Sequence, residues 1–218
     1  MSECWDLIIS SMTGPYSVGY KNIEFMDENR EDPYDAGHDR RLKVTVYYPS
    51  NDAPKFEPYG VEEMVFWQRE LKEPLDSKDI TPEDLKAIDD QISCAQVYKS
   101  SSAIPAACLF PVILFGHGLG VTAGSYQSFL LEVVSHGYTI VTPGSPYIAG
   151  TVIFQDGTEA FLKAERDKLV FTTSFQDVQF ILNKIDEIAS IVPSMDLSAI
   201  GMMGHSLGGA NNNQNRSE

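Results

Sequence analysis

The chain has 218 residues, 43% of them hydrophobic and 22% charged, the proportions of an ordinary globular protein with one sizeable core. Its formal net charge of −15 leaves no basic surplus to displace phosphate counterions, which excludes nucleic acid as an expected partner. An anionic membrane surface would repel it for the same reason, and no apolar run is long enough for a transmembrane segment.

The three cysteines, Cys4, Cys94 and Cys108, are odd in number and widely spaced. They predict neither a disulfide framework nor a zinc site, and they point to a reducing, cytoplasmic compartment. Cys108, within "AACLFPVILF", reads as a small buried hydrophobe. The opening "MSECWDLIISSM" is apolar over a signal-like length. It carries Glu3 and Asp6 where a signal peptide would be basic, which argues against one.

A strand is predicted from Val18 to Phe25. A clearer one follows in "LKVTVYYP", where Leu42, Val44, Val46 and Tyr48 alternate with Lys43, Thr45 and Tyr47, the period of a half-buried strand. The charged, turn-rich "DENREDPYDAGHDRR" between them reads as a hairpin connection. Its aspartates and His38 match no metal-site spacing, so a solvated loop is expected. Residues 50–105 look like a helical insertion. In "GVEEMVFWQRELKE" the apolar residues give a broad helical face. "TPEDLKAIDDQI" offers Thr81 as N-cap, Pro82 at the first helical position and Asp84 in the capping-box position. This insertion either caps a substrate site or is a peripheral decoration.

Then the rhythm changes. "PVILF" (111–115) is a continuous apolar run, as in a strand buried on both faces of a parallel sheet. It ends in "GHGLG". A helix is predicted over 125–136, closed by Gly137 as a left-handed cap. "YTIV" (138–141) is the next buried strand. One long amphipathic helix is predicted over most of 165–190, with Val178, Ile181, Leu182, Ile185 and Ile188 at helical spacing. "AIGMMG" (199–204) is a third buried strand. Strands alternating with helices predict a single α/β domain over residues 1–218, with a mostly parallel sheet and helices on both faces.

Gly204-His205-Ser206-Leu207-Gly208 is a G-x-S-x-G sequence directly after an apolar strand. A serine presented at the edge of a sheet needs a very tight strand-to-helix turn. Side chains two positions to either side would meet neighbouring backbone, so those positions must be small. "GHGLG" (116–120) follows the 111–115 strand, where an acyl-transfer enzyme of this type places one oxyanion donor. The backbone N–H groups of Leu119 and Leu207 are the expected donors. His117 is expected to anchor the loop by hydrogen bonding rather than to act as a base. His205 adjoins Ser206, with its side chain expected to diverge from it.

The segments "GPYSVGYKNIEF", "RRLKVTVYYPS", "PVILFGHGLG" and "IGMMGHSLGGA" together resemble the α/β-hydrolases, and the first two resemble their platelet-activating-factor acetylhydrolase-like branch. The resemblance runs from about Gly14 to Ala210, poorly over 50–105. It implies an α/β-hydrolase sheet and hydrolysis of carboxylic esters, of small molecules or lipids, through an acyl-serine intermediate with Ser206 as nucleophile. It implies no metal and no organic cofactor. The sequence departs from the family after Ser206. In this fold the acid and then the histidine of the triad follow the serine, whereas "LGGANNNQNRSE" contains no His and no Asp, and its only carboxylate side chain is Glu218. "NNNQN" also has poor helix propensity. The chain therefore reads as the N-terminal portion of an ester hydrolase with its C-terminal strands missing, inactive or marginal by itself. Its 199–204 strand is then expected to expose an edge that favours self-association. Two alternatives stay open: a non-catalytic binding or interaction protein on the same scaffold, and another chemistry such as acyl transfer, lactone opening or thioester hydrolysis.

Overall fold

The computed structural model describes residues 12–76, 78–94 and 96–214. The N-terminal stretch to Ser11, Cys4 and Glu218 lie outside the described residues. The first strand, β1 (Ser17–Glu31), turns back at residues 32–38 into β2 (Asp39–Ser50). They pair antiparallel, Phe25 opposite Leu42, and the ladder runs on to Asp27 and Arg40. The charged stretch read as a connection is thus mostly paired strand, with only its middle in the turn.

The region after β2 forms a two-stranded ribbon, β3 (Phe56–Pro58) with β4 (Gln96–Tyr98), enclosing helices. These are α1 (Val61–Phe66), a π-helical turn at Trp67–Leu71, α2 (Lys72–Asp76) and α3 (Pro82–Cys94). The capping box closes reciprocally: Asp84 N–H donates to Thr81 Oγ1 at 3.1 Å, and Thr81 N–H donates to Asp84 Oδ2 at 3.0 Å. Phe66 of α1 packs directly on Gly150.

The chain then enters the interior strand β5 (Phe110–Gly116), a 3₁₀ turn at Ala123–Tyr126, α4 (Gln127–Ser135) and the middle strand β6 (Thr139–Gly144). Gly137, at φ +93°, provides the left-handed residue between α4 and β6. A small hairpin, β7 (Thr151–Ile153) with β8 (Glu159–Phe161), precedes α5 (Lys168–Asn183), α6 (Ile185–Ile191), β9 (Met195–Gly204) and α7 (Leu207–Gln214). The main sheet has the order β1-β2-β6-β5-β9. β6, β5 and β9 are mutually parallel, and the β1–β2 hairpin adds antiparallel at one side, so the sheet is mixed. Leu42, Val44, Val46 and Tyr48 face α5 and α6, where Val178, Ile181 and Ile188 cover them. Tyr47 faces the other way, towards Leu130 and Val134 of α4. The period-2 pattern of β2 thereby places helices on both faces.

Four expectations are corrected. The helix over 165–190 is two helices. Asp167 caps the first by accepting from Val170 N–H, and the backbone leaves the helical region at Lys184 (φ −96°, ψ 5°), just after Asn183. Asp186 and Glu187 then fall in the first turn of α6, where carboxylates suit the positive helix end. The segment after Ser206 does form a helix, α7. Its Gly208-Gly209-Ala210 tract packs against β5, β9 and α5, and tertiary contact overrides the weak propensity of the asparagines. Cys108 is exposed rather than buried, because the strand begins two residues after it. Cys94 is disulfide-bonded, whereas the cysteine pattern predicted no disulfide framework. No helix among the described residues is long and apolar enough to cross a membrane.

Candidate active site

Parallel neighbours β5 and β9 end together, with Gly116 paired to Gly204. The loops that follow them therefore emerge at the same edge, the C-terminal one where α/β sheets bind ligands. They are stitched to each other by backbone bonds. His205 N–H donates to Gly116 O at 3.1 Å, and Gly208 N–H donates to His117 O at 3.1 Å. Three glycines make this approach possible. A Cβ on Gly204 would stand 2.6 Å from Gly208 O, one on Gly116 would stand 2.7 Å from Gly208 Cα, and one on Gly208 would overlap the Gly116 carbonyl. All of these are backbone obstacles that cannot rotate away.

Ser206 stands at the apex of the turn between β9 and α7. It is exposed and has φ +52°, the left-handed region that costs a non-glycine residue about 1–3 kcal/mol and persists only where surrounding structure imposes it. Gly118 lies directly across from it: a Cβ there would come 3.6 Å from Ser206 Cβ. The next amide, that of Leu119, sits in a turn held on both sides, with Gly120 N–H on Ile148 O and Val121 N–H on Gly118 O. The Leu119 and Leu207 side chains share one apolar cluster with Ile148 and Val170. Leu207 opens α7, so its N–H is one of the amides that a helix leaves without an internal partner. Neither the Leu119 nor the Leu207 amide donates to an acceptor among the described residues. The structure thus brings the Ser206 turn and the loop carrying Leu119 to one edge of the sheet, with the Leu119 and Leu207 side chains in one cluster.

The four histidines separate into two pairs. His38 is exposed and lies 3.4 Å from Asp35, and His136 is bonded to Glu132 at 3.0 Å; neither bonds to the serine turn. His117 is buried beneath the loop. Its Nδ1 donates to Gly118 O at 2.8 Å and its Nε2 accepts from Ser145 N–H at 3.4 Å. Both partners fix one neutral tautomer, and burial pushes its pKa down, so His117 serves as the loop's anchor. His205 Nδ1 meets the Tyr126 hydroxyl at 2.9 Å.

Two groups had no signal in the sequence. Tyr126 accepts from Gly118 N–H at 3.2 Å while its hydroxyl reaches His205, so one phenol ties the "GHGLG" loop to the serine turn. The other is a buried ionic cluster. Arg40 is fully buried and donates to both Asp177 oxygens (2.7 and 3.1 Å), to Asp32 (2.8 Å) and to Pro146 O (3.1 Å). Burial alone would lower the Arg40 pKa, and the two carboxylates raise it above its ordinary value. The cluster fixes the segment 145–148, whose Ser145 and Ile148 in turn hold His117 and Gly120. Among the described residues no group of three or more His, Cys, Asp or Glu side chains could hold a metal ion.

Comparison with known proteins agrees with this architecture. The family model described as chlorophyllase matches residues 102–212. Platelet-activating factor acetylhydrolase of Cavia porcellus is 25% identical over an alignment of 237 residues, covering 94% of this chain and 51% of that protein. Ferulic acid esterase from Streptomyces cinnamoneus superposes with a TM-score of 0.75 at 23% identity, covering 96% of this chain and 58% of that one. The chain spans about half the length of the curated relative it matches. With both loops of the site inside the matched segment, which is about half of the sequence, the chain belongs to the chlorophyllase family of α/β-hydrolases and is related to the platelet-activating factor acetylhydrolases.

Proposed function

We propose that Ser206 is the nucleophile of a carboxylic ester hydrolase and that the backbone N–H groups of Leu119 and Leu207 are its oxyanion donors. The observation that carries this reading is the strained φ of Ser206 on a glycine-packed turn facing Gly118. A structural role gives no reason to hold an exposed serine in that conformation, whereas presenting a hydroxyl to an incoming carbonyl does. In the reaction, Ser206 Oγ loses its proton and bonds to the ester carbonyl carbon. The carbonyl oxygen gains negative charge against the Leu119 and Leu207 amides. The C–O bond to the alcohol then breaks as that oxygen takes a proton, and water later cleaves the acyl-serine. The exposed turn and the names of the relatives favour small or short acyl groups, including those carried on lipids.

Neither histidine beside the site serves as the base in the arrangement observed. Both nitrogens of His117 are engaged, and the His205 ring is directed at Tyr126. The reading therefore assigns positioning and oxyanion stabilisation to this chain's described residues, and no proton acceptor. The test is covalent labelling with a fluorophosphonate, read by peptide mass spectrometry, beside hydrolysis of a short-chain 4-nitrophenyl ester. Slow stoichiometric modification of the Ser206 peptide, lost in Ser206→Ala, is expected. Modification only at other serines, or ester turnover unaffected by Ser206→Ala, would overturn the assignment.

A further inference from the structure

A cavity of about 500 Å³ opens on the α4 face of the sheet, and none of residues 116–120 or 204–208 lines it. Tyr20 and Tyr47 of the β1–β2 hairpin form part of its floor, and Glu63 of α1, Lys99 and Gln127 of α4 stand in its walls. Its size is that of a small-molecule site. Most of its charged groups are already spoken for. Glu62 accepts from Lys43 Nζ at 2.7 Å and from Ile153 N–H at 2.8 Å. Glu57 accepts from Tyr20 and from Ser101 N–H, each at 2.8 Å.

Glu63 and Lys99 are different. They are 8% and 7% exposed, of opposite charge, and face the same cavity, yet they do not pair with each other. Gln127 stands between them. Its Oε1 accepts from Lys99 Nζ at 2.6 Å, and its Nε2 lies over Gly124 beside the Glu63 carboxyl. That single bond uses one of three donors on the Lys99 ammonium. The only bond from another side chain to Glu63 among the described residues is a long one, from Thr122 Oγ1 at 3.5 Å. The Glu63 carboxyl occupies the space that a side chain at Gly60 or Gly124 would need, so its position is built into the local sequence. Taking a charge out of water costs several kcal/mol even after relaxation. Among the described residues Glu63 is further held only by its own backbone amide, and the Lys99 ammonium lies 4.9 Å from the centre of the Tyr20 ring; neither contact neutralises its charge, and two such charges separated across one cavity call for a molecule that complements both.

We propose that this cavity binds a small zwitterion of the amino-acid class, its ammonium group on the Glu63 carboxylate and its carboxylate on the Lys99 ammonium. A simple amine or a simple acid would satisfy one of the two buried charges and leave the other. The aromatic rings of Tyr20 and Tyr47 supply the apolar contact for the carbon chain between the ligand's charges. The site is separate from the Ser206 turn and does not depend on the chemistry assigned there.

The groups that face Glu63 are Glu62 on its own helix, Lys43 of β2, Lys99, Tyr47 and Tyr59. Burial chiefly, with Glu62 adding, pushes the Glu63 carboxyl up to about 7. Binding of the ligand's ammonium therefore strengthens as pH rises through neutrality, and binding of its carboxylate weakens on the alkaline side as Lys99, which burial holds below the ordinary lysine value, loses its proton.

Isothermal titration calorimetry on the full chain tests this with β-alanine and 4-aminobutanoate as probes and butylamine and butyrate as controls. Saturable binding of a zwitterion is expected, about tenfold or more tighter than either control, because each control leaves one buried charge unpaired. Ionised Glu63 rises from about a tenth to about nine-tenths of the population between about pH 6 and about pH 8, so affinity should rise about ninefold over that interval. Glu63→Gln should abolish that rise and weaken binding, Lys99→Met should weaken binding, and Ser206→Ala should change nothing. No saturable binding of either zwitterion up to about 10 mM, a level at which a contact worth about 3 kcal/mol would still register, would overturn the proposal. Butylamine binding as well as the zwitterions would overturn it too. Both results come from the wild-type chain, so they decide the matter even if a variant fails to fold.

Discussion

Glu63→Gln should stabilise the protein, and only above a certain pH. The carboxyl is wedged between Gly60 and Gly124, with one long hydrogen bond from Thr122 and another from its own backbone amide. Burial, followed by repulsion from Glu62, raises its pKa from the ordinary value of 4.5 to about 7, against the smaller opposing pulls of Lys99, its own backbone amide and Lys43. A rise of roughly 2.5 pH units corresponds to about 3 kcal/mol. The sign follows from which state holds the proton. Below about pH 4.5 Glu63 is protonated in both the folded and unfolded chain and there is no penalty. Between about 4.5 and about 7 the unfolded chain ionises while the folded one does not, so stability falls by up to about 1.4 kcal/mol per pH unit. Above about 7 the full penalty of about 3 kcal/mol is in place. Glutamine has nearly the same shape and no charge to desolvate, so the variant should escape this loss.

The assay is urea unfolding of both proteins from about pH 4 to about pH 8, taking the difference at each pH so that other titrating groups cancel. The variant should equal the wild type within a few tenths of a kcal/mol at the acid end and exceed it by about 3 kcal/mol at the alkaline end. A difference independent of pH would refute the reasoning, as would a variant less stable at about pH 8, since either would mean that the carboxylate is ionised and well partnered in the fold.

Gly208→Ala should break the serine turn, because the new methyl group would overlap the Gly116 carbonyl and stand 2.7 Å from Gly116 Cα; phosphonate labelling of Ser206 should fall to background, with a stability loss of about 1–3 kcal/mol. Gly201→Ala on the same strand, whose nearest obstacle is 4.0 Å away, is the control and should label normally. Tyr126→Phe removes the bond that Gly118 N–H makes and the one to His205; labelling should slow about tenfold while stability drops by about 1 kcal/mol, and an unchanged labelling rate would reduce Tyr126 to a packing role. Ile200→Lys places a charge on β9, which has no strand on its outer side among the described residues and leaves Ile200 exposed; sedimentation should show less self-association than wild type, and identical behaviour would locate any association elsewhere.

What the sequence disclosed and what it hid follow one physical division. Strands β5 and β6 were legible because parallel strands buried on both faces need unbroken apolar runs, and the Thr81 box and the Gly137 cap because they are local backbone chemistry; β9 forms where its apolar run predicted a strand but is not the buried strand expected, since only Met195 is buried and Ile200 is exposed on the outer side of the sheet. The convergence of 116–120 on 204–208 was legible because glycines at fixed offsets have few other uses. Arg40 was hidden. It lies in a charged stretch that reads as a solvated loop, and its partner Asp177 is 137 residues away on an amphipathic helix. Tyr126 was hidden for a similar reason, since an aromatic in a loop carries no period. The break at Lys184 and the survival of α7 went the other way from propensity, one helix ending early and another forming on poor residues, because capping and packing outweigh a few tenths of a kcal/mol per residue.

The supports of Ser206 separate two tasks that a hydrolase performs together. Its left-handed backbone is held by Gly116 and His117 through the backbone bonds of His205 and Gly208, and from the side by Gly118 through Tyr126. Gly116 and His117 belong to β5 and its loop. That loop is in turn fixed by Ser145 and Ile148, and their segment by Arg40, which the hairpin turn and α5 supply with carboxylates. Every link in that chain precedes Ser206 in the sequence except Gly208, two residues after it. On the proposed reading, presentation of the hydroxyl therefore rests on the sheet, α5 and the start of α7, independent of whichever group accepts the proton. In serine hydrolases those are also energetically distinct contributions, with oxyanion stabilisation and binding retaining about 10³- to 10⁴-fold acceleration when the triad is removed. On this view a substitution that loosens Arg40 should lower Ser206 reactivity from across the sheet without touching the serine turn itself.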